Sequence, residues 1–541
     1  MNNHKKPLFH SFFIVIVFFL LPALFYAGLI TNFNFNLLAY EDYWKAYNEL
    51  ALSILDGRLD ISMESVGPEG LYYEDKIYMY YGFFPTILRL ILAPFIDLNT
   101  IPLGKLSVWI MTTLGASALQ YAILFSTAAD KHHTRDIRAF VILLGYSLLI
   151  WFGSAYFIIA QKGNILHEPY AAMLMVSSIF IAVVWHDIFR TLEKPLYRLA
   201  LYALIAAFSL HTRQTIAISL YAATIVLIFA STLDVHHSKT KSYNVFNFQF
   251  VSQLFKTSYV PLLILGASGI VLLTLNYLRF GEFWNIAGGQ WGYARAEKVH
   301  TASLCSAMLT DTSRFEIARI LPNLHFYINT NIPLHNNWIN DLGLGYIRKE
   351  WPFSYLKFLW IGSLFIFIYF VLLLIYTNIK DGIKNNYKLN LLFLSLMIGP
   401  LLLLSYLTVA FRYVADLWPP VMLAFLFTYQ HLSRLHNHPL YNRYYKFVLP
   451  LFILVISLNL YRSWFIYTKY PDNSNLYEKG MPSVEILERL RNPPEKEWDI
   501  ERCIKEYDIT CSVSNTEKQQ YSDCRFGRFR LRSQSQDFQP E

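Results

Sequence analysis

The feature that most limits what this chain can fold into is a series of apolar stretches, each about 20 residues long. That is the length an α-helix needs to cross the hydrocarbon of a bilayer. They fall near 11–30, 102–127, 139–160, 169–189, 199–212, 214–232, 257–278, 356–378, 388–409, 413–430 and 446–466. The expectation is an all-α polytopic membrane protein with about eleven transmembrane helices. The stretch 199–212 is short for a crossing. The segment 83–97 is shorter still and carries Pro85 and Pro94. It predicts a re-entrant or interfacial helix.

The loops test this count. Alternation puts five of them on the side of the N-terminus: 128–138, 190–198, 233–256, 379–388 and 431–446. Each is basic, with Lys131, Arg135 and Arg138 in the first and Arg434, Arg443 and Lys446 in the last. Basic loops stay in the cytoplasm, so the N-terminus is expected there. The net charge of +8 is then a matter of topology, and no nucleic-acid partner is expected. With 16% charged and 55% apolar residues, the chain is far from soluble domains, which carry about 25% charge. The N-terminal run after Lys5 and Lys6 reads as an uncleaved signal anchor. No N-x-S/T sequon occurs, which favours a bacterial inner membrane.

Three polar pieces fall outside: the loops 31–101 and 280–355, and the tail 467–541. The chain thus divides into a transmembrane domain, 1–466, and a small extracytoplasmic C-terminal tail, 467–541. Interfacial helices are expected in the first loop. All four cysteines, Cys305, Cys503, Cys511 and Cys524, lie outside. An oxidising exterior would let them pair. The spacing prefers a local Cys503–Cys511 bridge, with free thiols as the alternative.

The first loop opens at the membrane with Glu41 and Asp42, followed by Tyr43 and Trp44. A partly desolvated carboxylate there suits a general base acting on a hydroxyl. An acid-rich helix start would look the same. Glu74, Asp75 and Lys76 precede a tyrosine cluster that includes Tyr81. Such rings stack on sugars or line a lipid entrance, and a solvated turn beside an aromatic belt is the plainer reading. His167 and Glu168 lie beside Gln161, Lys162 and Asn164, groups that hydrogen-bond hydroxyls. Two such residues do not make a metal site, so no metal ligands are assigned.

Arg213 stands between two apolar stretches, so it must lie at an interface or face a polar cavity. Its planar fork suits a phosphate. Arg412 and Asp416 are four apart in an apolar stretch. On one helix face they would pair. The pair could be structural, or Arg412 could hold a phosphate that Asp416 helps orient. In the second large loop, Arg295, His335, Asn336 and Asn337 have the chemistry of carbohydrate recognition. No Walker A, H-E-x-x-H, G-x-S-x-G or G-x-G-x-x-G pattern occurs.

This arrangement resembles the GT-C superfamily of polytopic glycosyltransferases, which includes protein O-mannosyltransferases and the bacterial lipid A aminoarabinose transferase. The likeness rests on YEDYWKAYNELALSILDGRL after the first span and on GLYYEDKIYMYYGFFPTILRLILAP. NILHEPYAAML, LHTRQTIAI and FRYVADLWPP echo it more weakly. Several relatives have Lys-Pro-Pro where this chain has Tyr81 to Pro85, and a proline where it has Gln214. The resemblance implies a polyprenyl-phosphate-linked sugar donor lying among membrane lipids, and a lipid, glycan or protein acceptor. It implies Asp42, or else Glu41, as base, and Arg213 with Arg412 at the donor phosphate. Inversion at the sugar is expected. No cofactor is assigned, and a divalent metal is left open. Two rival readings are an envelope polysaccharide polymerase or ligase, and a non-enzymatic lipid or sugar transporter.

Overall fold

The computed structural model describes residues 14–41, 44–66, 70–128, 137–188, 195–240, 248–283, 290–291, 315–329, 348–349, 361–406, 408–409, 411–435, 509–513 and 521–526, with scattered positions from 450 to 464. Among the described residues, seven helices are long and apolar enough to cross a membrane. The chain is a multi-pass, largely helical membrane protein. All seven coincide with stretches among the eleven expected. Two further expected spans are short apolar helices, α1 (Ile16–Ile30) and one at Pro195–Leu210. The expected span 413–430 is a 3-10 turn, Phe411–Leu417, followed by an 18-residue helix, Trp418–Leu435, outside the seven. The stretch 446–466 lies mostly outside the described residues.

At the end of α1 the chain reverses sharply. Asn32, Phe33 and Phe35 all hold positive φ, at 51°, 62° and 58°. Such conformations cost about 1–3 kcal/mol each and persist only where the surroundings enforce them. Here Thr31 Oγ1 accepts the Phe35 amide at 2.9 Å, and the Phe33 ring packs on Phe25. The reversal sends the chain towards Glu41.

The first long loop is itself folded. Helix α2 (Lys45–Leu55) buries Ala46, Tyr47, Asn48, Leu50, Ala51 and Ser53. A short turn of helix, α3 (Met63–Val66), follows. Strands β1 (Gly70–Tyr73) and β2 (Lys76–Met79) form an antiparallel hairpin. Its two turn residues, Glu74 and Asp75, have φ of 47° and 61°, the left-handed pair that a tight hairpin requires. Helix α4 (Phe84–Leu92) has Pro85 in its first turn, a position that needs no amide proton. Nine residues are too few to cross a bilayer. A short strand of the second long loop, β3 (Gln290–Trp291), joins the hairpin as Leu71 pairs with Trp291, so the two loops meet.

The helical body follows: α5 (Gly104–Ala128), α6 (Ile137–Phe152), α7 (Ala155–Ile159), α8 (Glu168–Asp187), α9 (Pro195–Leu210), α10 (Gln214–Thr240) and α11 (Phe248–Phe280). Then come α12 (Ile320–Asn329), α13 (Ile361–Asp381), α14 (Ile383–Leu404) and α15 (Trp418–Leu435). The single expected span 139–160 breaks at Gly153 and Ser154. The Ser154 hydroxyl caps α7 by accepting the Tyr156 amide at 3.2 Å.

Helix α8 is the axis of the body. Sixteen of its twenty residues are buried, on every face. A helix apolar all round must be buried on all sides or face lipid, and hydropathy does not separate the two. Packing does: α5 lies along α8, with α9 and α15 on other sides. Small residues allow the approach, and Ser178 returns its hydroxyl to the Leu174 carbonyl at 2.8 Å.

Beyond α14, β4 (Arg348–Lys349) pairs in parallel with β5 (Thr408–Val409). Asn323 on α12 donates to the carbonyls of Leu404 and Tyr406 at 2.7 and 3.1 Å. In the tail, β6 (Ile509–Val513) and β7 (Tyr521–Phe526) are antiparallel, with Cys511 directly opposite Cys524. The expected local partner of Cys511, Cys503, lies outside the described residues.

Candidate functional site

Arg213 sits in the tight turn between α9 and α10. Thr212 Oγ1 donates to the Ser209 carbonyl at 2.7 Å, and the Arg213 amide reaches the same carbonyl at 3.1 Å. These bonds end α9 and leave the arginine side chain at the start of α10. There it meets Asp416, 203 residues away. Arg213 Nε donates to Asp416 Oδ1 at 3.0 Å and Nη2 donates to Oδ2 at 2.7 Å. Thr215 in the first turn of α10 adds a third donor to Oδ1, at 3.1 Å. A carboxylate at a helix N-terminus is also favoured by the helix dipole. Asp416 is fully buried, whereas Arg213 keeps 17% of its side chain exposed. Nη1 takes no part in the fork.

This corrects the expected pairing of Arg412 with Asp416. The segment 411–417 winds as 3-10 helix, with three residues per turn, so four-apart residues do not share a face. The Asp416 carboxylate is taken up by Arg213 and Thr215.

The first loop lies directly on this turn. Phe84 N donates to the His211 carbonyl at 2.9 Å. Gly82 is so close that a Cβ there would come within 2.0 Å of the same oxygen. Two segments about 130 residues apart in sequence, the acidic loop and the arginine turn, are therefore one surface.

A second set of charges gathers at the N-terminus of α8. Glu168 and Arg89 of α4 form an ion pair at 2.5 Å, with both side chains buried. Arg89 Nε also donates to Asn48 Oδ1 at 3.2 Å, and Nη1 donates to the Pro85 carbonyl at 3.1 Å. Asn48 in turn gives its amide protons to the carbonyls of Leu98 and Ile101. The chain α2–Arg89–Glu168–α8 is a continuous polar tie under the loop. Beside it, Glu41 pairs with Lys105 of α5 at 3.2 Å. Lys105 is set there because Gly104 and Gly163 bring the two backbones together; a Cβ on Gly104 would lie 2.0 Å from the Gly163 carbonyl.

His167 precedes α8 and is buried, its Nδ1 within 2.8 Å of Asn164 Oδ1. Burial, with the charges of Lys162 and Arg412 adding to it, pushes the ring down to about 3. It stays neutral at physiological pH and is a poor proton acceptor. The same charge effect places Arg412 in this corner, where its guanidinium also lies 5.4 Å from the Tyr413 ring.

Of the residues singled out in sequence, the structure gathers Glu41, His167, Glu168, Arg213 and Arg412 around the α8 N-terminus and the arginine turn. Glu74 and Asp75 form the exposed hairpin turn, with exposed Lys76 beside them. Tyr81 is buried in the loop's own core with Tyr47 and Ile77. Asp42, Arg295, His335, Asn336 and Asn337 lie outside the described residues. Sequence reasoning missed Arg89, Lys105 and Arg279. Arg279 is buried at the end of α11, donates to the Met79 carbonyl at 2.8 Å, and ties α11 to the hairpin. A lone arginine in an apolar helix must find a partner, and that signal was present for Arg89 and Arg279. Among the described residues no group of three or more His, Cys, Asp or Glu is placed to hold a metal.

No protein-family model matches this chain, and no curated protein matches it. Among solved structures it is similar to the archaeal oligosaccharyltransferase AglB from Archaeoglobus fulgidus, in complex with an inhibitory peptide and a dolichol-phosphate. That alignment has 12% identity and a TM-score of 0.42, and covers 93% of this chain and 59% of the other. The apo form of the A. fulgidus oligosaccharyltransferase aligns with 14% identity and a TM-score of 0.44, covering 93% and 60%. The chain thus spans about three-fifths of their length. Similarity of this degree bears on neither substrate nor residue roles.

Proposed function

We propose that the chain is a membrane glycosyltransferase that moves a sugar from a polyprenyl-phosphate carrier to an envelope lipid, glycan or protein. The reaction takes place on the face opposite the basic loops, the periplasmic face of a bacterial inner membrane. The observation that carries this reading is the seating of the acidic first loop on the turn of Arg213, a guanidinium already oriented by Asp416. A fixed cation beside a loop that carries carboxylates is what a lipid-phosphate leaving group needs.

In the proposed step the acceptor hydroxyl gives its proton to Asp42. Its oxygen bonds the anomeric carbon as the bond from that carbon to the phosphate oxygen breaks. The electron pair leaves with the lipid phosphate, whose charge Arg213 and Arg412 hold. Cations fixed before the reaction stabilise such charge without reorganising. A single displacement of this kind inverts the anomeric carbon. Glu41 is engaged with Lys105, which leaves Asp42 as the base of the acidic pair. His167, being neutral, serves as a hydrogen-bond partner for substrate hydroxyls.

The test is sugar transfer in proteoliposomes supplied with a polyprenyl-phosphate sugar. Asp42→Asn should abolish transfer, and Arg213→Ala should lower it at least about 100-fold, the scale on which removing one charge-stabilising group acts. Full activity of a folded Asp42→Asn protein removes Asp42 as base. Lipid or sugar flux without bond formation replaces the enzyme reading with a transporter.

A further inference from the structure

Arg213 is held along one edge by the Asp416 carboxylate and lies beside two tyrosine rings. Its guanidinium carbon lies 4.1 Å from the ring centre of Tyr170, on α8, and 5.4 Å from that of Tyr413. The two rings are near parallel, 28° apart with centres separated by 6.1 Å. Tyr170 is fully buried, and its hydroxyl has no hydrogen-bond partner among the described residues. A buried hydroxyl left unpaired is unfavourable, and phenylalanine would avoid that loss. What Tyr170 presents to Arg213 is its π face.

We propose that Tyr170 is a positioning residue for the donor phosphate: its ring holds the Arg213 guanidinium in the plane set by Asp416 and keeps Nη1 directed to the ligand. This rests on the reading of Arg213 as a phosphate group holder. The cause is geometric. Asp416 fixes two nitrogens but leaves the fork free to tilt about the line joining them. A ring 4.1 Å from the guanidinium carbon removes that tilt, and the attraction of a cation to the negative face of the ring holds it there. Because α8 also carries His167 and Glu168 at its start, the ring registers the arginine turn against the same helix that anchors the first loop.

The experiment is binding of undecaprenyl phosphate, with phosphate-free undecaprenol as control, to the purified full-length protein in detergent. The variants are Tyr170→Phe, Tyr170→Leu, Arg213→Ala and the Tyr170→Leu/Arg213→Ala pair. Each variant's melting temperature is measured alongside, and Tyr170→Met replaces Tyr170→Leu if the latter does not fold. Wild type should prefer the phosphate. Tyr170→Phe should bind within about two-fold of wild type, and Tyr170→Leu about ten-fold more weakly, the scale of a desolvated cation–π contact. The double variant should be no weaker than Arg213→Ala alone, because Tyr170 acts through Arg213. A Tyr170→Phe loss equal to that of Tyr170→Leu would assign the effect to the hydroxyl and overturn the proposal. So would wild-type binding by Tyr170→Leu, or a full further loss in the double variant. If Arg213→Ala binds the phosphate as wild type does, the phosphate reading itself is wrong and the proposal falls with it.

Discussion

Arg89 and Glu168 meet at 2.5 Å with neither side chain open to water, one on the short helix of the first loop and the other at the head of α8. Burying two charges is costly, and their mutual attraction offsets this only while both are present. The pair joins the loop that carries the acidic residues to the central helix of the body. Its removal should thus be felt in stability first.

Arg89→Met is expected to destabilise the protein by about 3–5 kcal/mol, because Glu168 would remain buried and unpaired. Arg89→Met combined with Glu168→Leu should recover much of this, since neither charge is then stranded. Thermal unfolding of the purified variants measures both, and equal losses in single and double variants would contradict the assignment.

Asp416→Asn should weaken donor-phosphate binding more than it lowers the melting temperature. Asparagine keeps the shape of the side chain but removes the charge that fixes the Arg213 fork, a charge-assisted bidentate contact. A loss of about ten-fold or more in affinity is expected, at about 1.4 kcal/mol per factor of ten. Arg213→Lys should fare no better, for a point ammonium cannot make the fork.

His167 makes stability depend on pH with a definite sign. Folded, the ring takes a proton only near pH 3; unfolded, near its ordinary 6.5. Above pH 6.5 both states are neutral and the residue has no effect. As pH falls through 6.5 towards 3, the unfolded state gains a proton that the folded state refuses, and stability drops. Melting temperatures at pH 7.5, 6.0 and 5.0 should decline, and less steeply in His167→Gln. Parallel declines in the two proteins would count against it.

Gly82→Ala should separate the first loop from the arginine turn, because a Cβ at this position would overlap the His211 carbonyl oxygen, 2.0 Å away. The backbones must move, at a cost of about 1–3 kcal/mol. Gly266→Ala is the matched control: nothing lies within 4 Å of that position, and a helical glycine-to-alanine change is favourable by about 1 kcal/mol. Thermal unfolding of both variants checks the contrast.

The register of β6 and β7 predicts a Cys511–Cys524 crosslink in protein from an oxidising compartment. Mass mapping of peptides without reductant should find that pair. A Cys503–Cys511 peptide instead would mean that the strands do not pair as described.

Much of the architecture was legible in the chain because length and hydropathy report directly on membrane helices. The short helix at 84–92 was legible too, from Pro85 and the brevity of its apolar run. What hydropathy could not say is which helix is central: α8 is no more apolar than its lipid-facing neighbours, and only packing sets it apart. Glu74 and Asp75 were opaque for another reason. They adopt left-handed turn geometry without the glycine that normally announces it. At the site, Arg213 could be picked out alone, but its partner is 203 residues away and a nearer arginine, Arg412, offered the simpler pairing. Lys105 carried no signal, since its place depends on two glycines that touch only in the folded chain.

The ties that hold the first loop also set an order of events in biosynthesis. Arg89 emerges from the ribosome long before Glu168, and the Met79 carbonyl before Arg279. At about 5–20 residues per second, the interval between residues 79 and 279 lasts roughly 10–40 s. For that time the hairpin lacks its anchor on α11, and for roughly 4–16 s Arg89 lacks Glu168. Nascent chains arrested before α11 should therefore be cut by protease within residues 44–97, while chains released after α11 should resist. An early segment of the chain is thus completed only after α11 has been made.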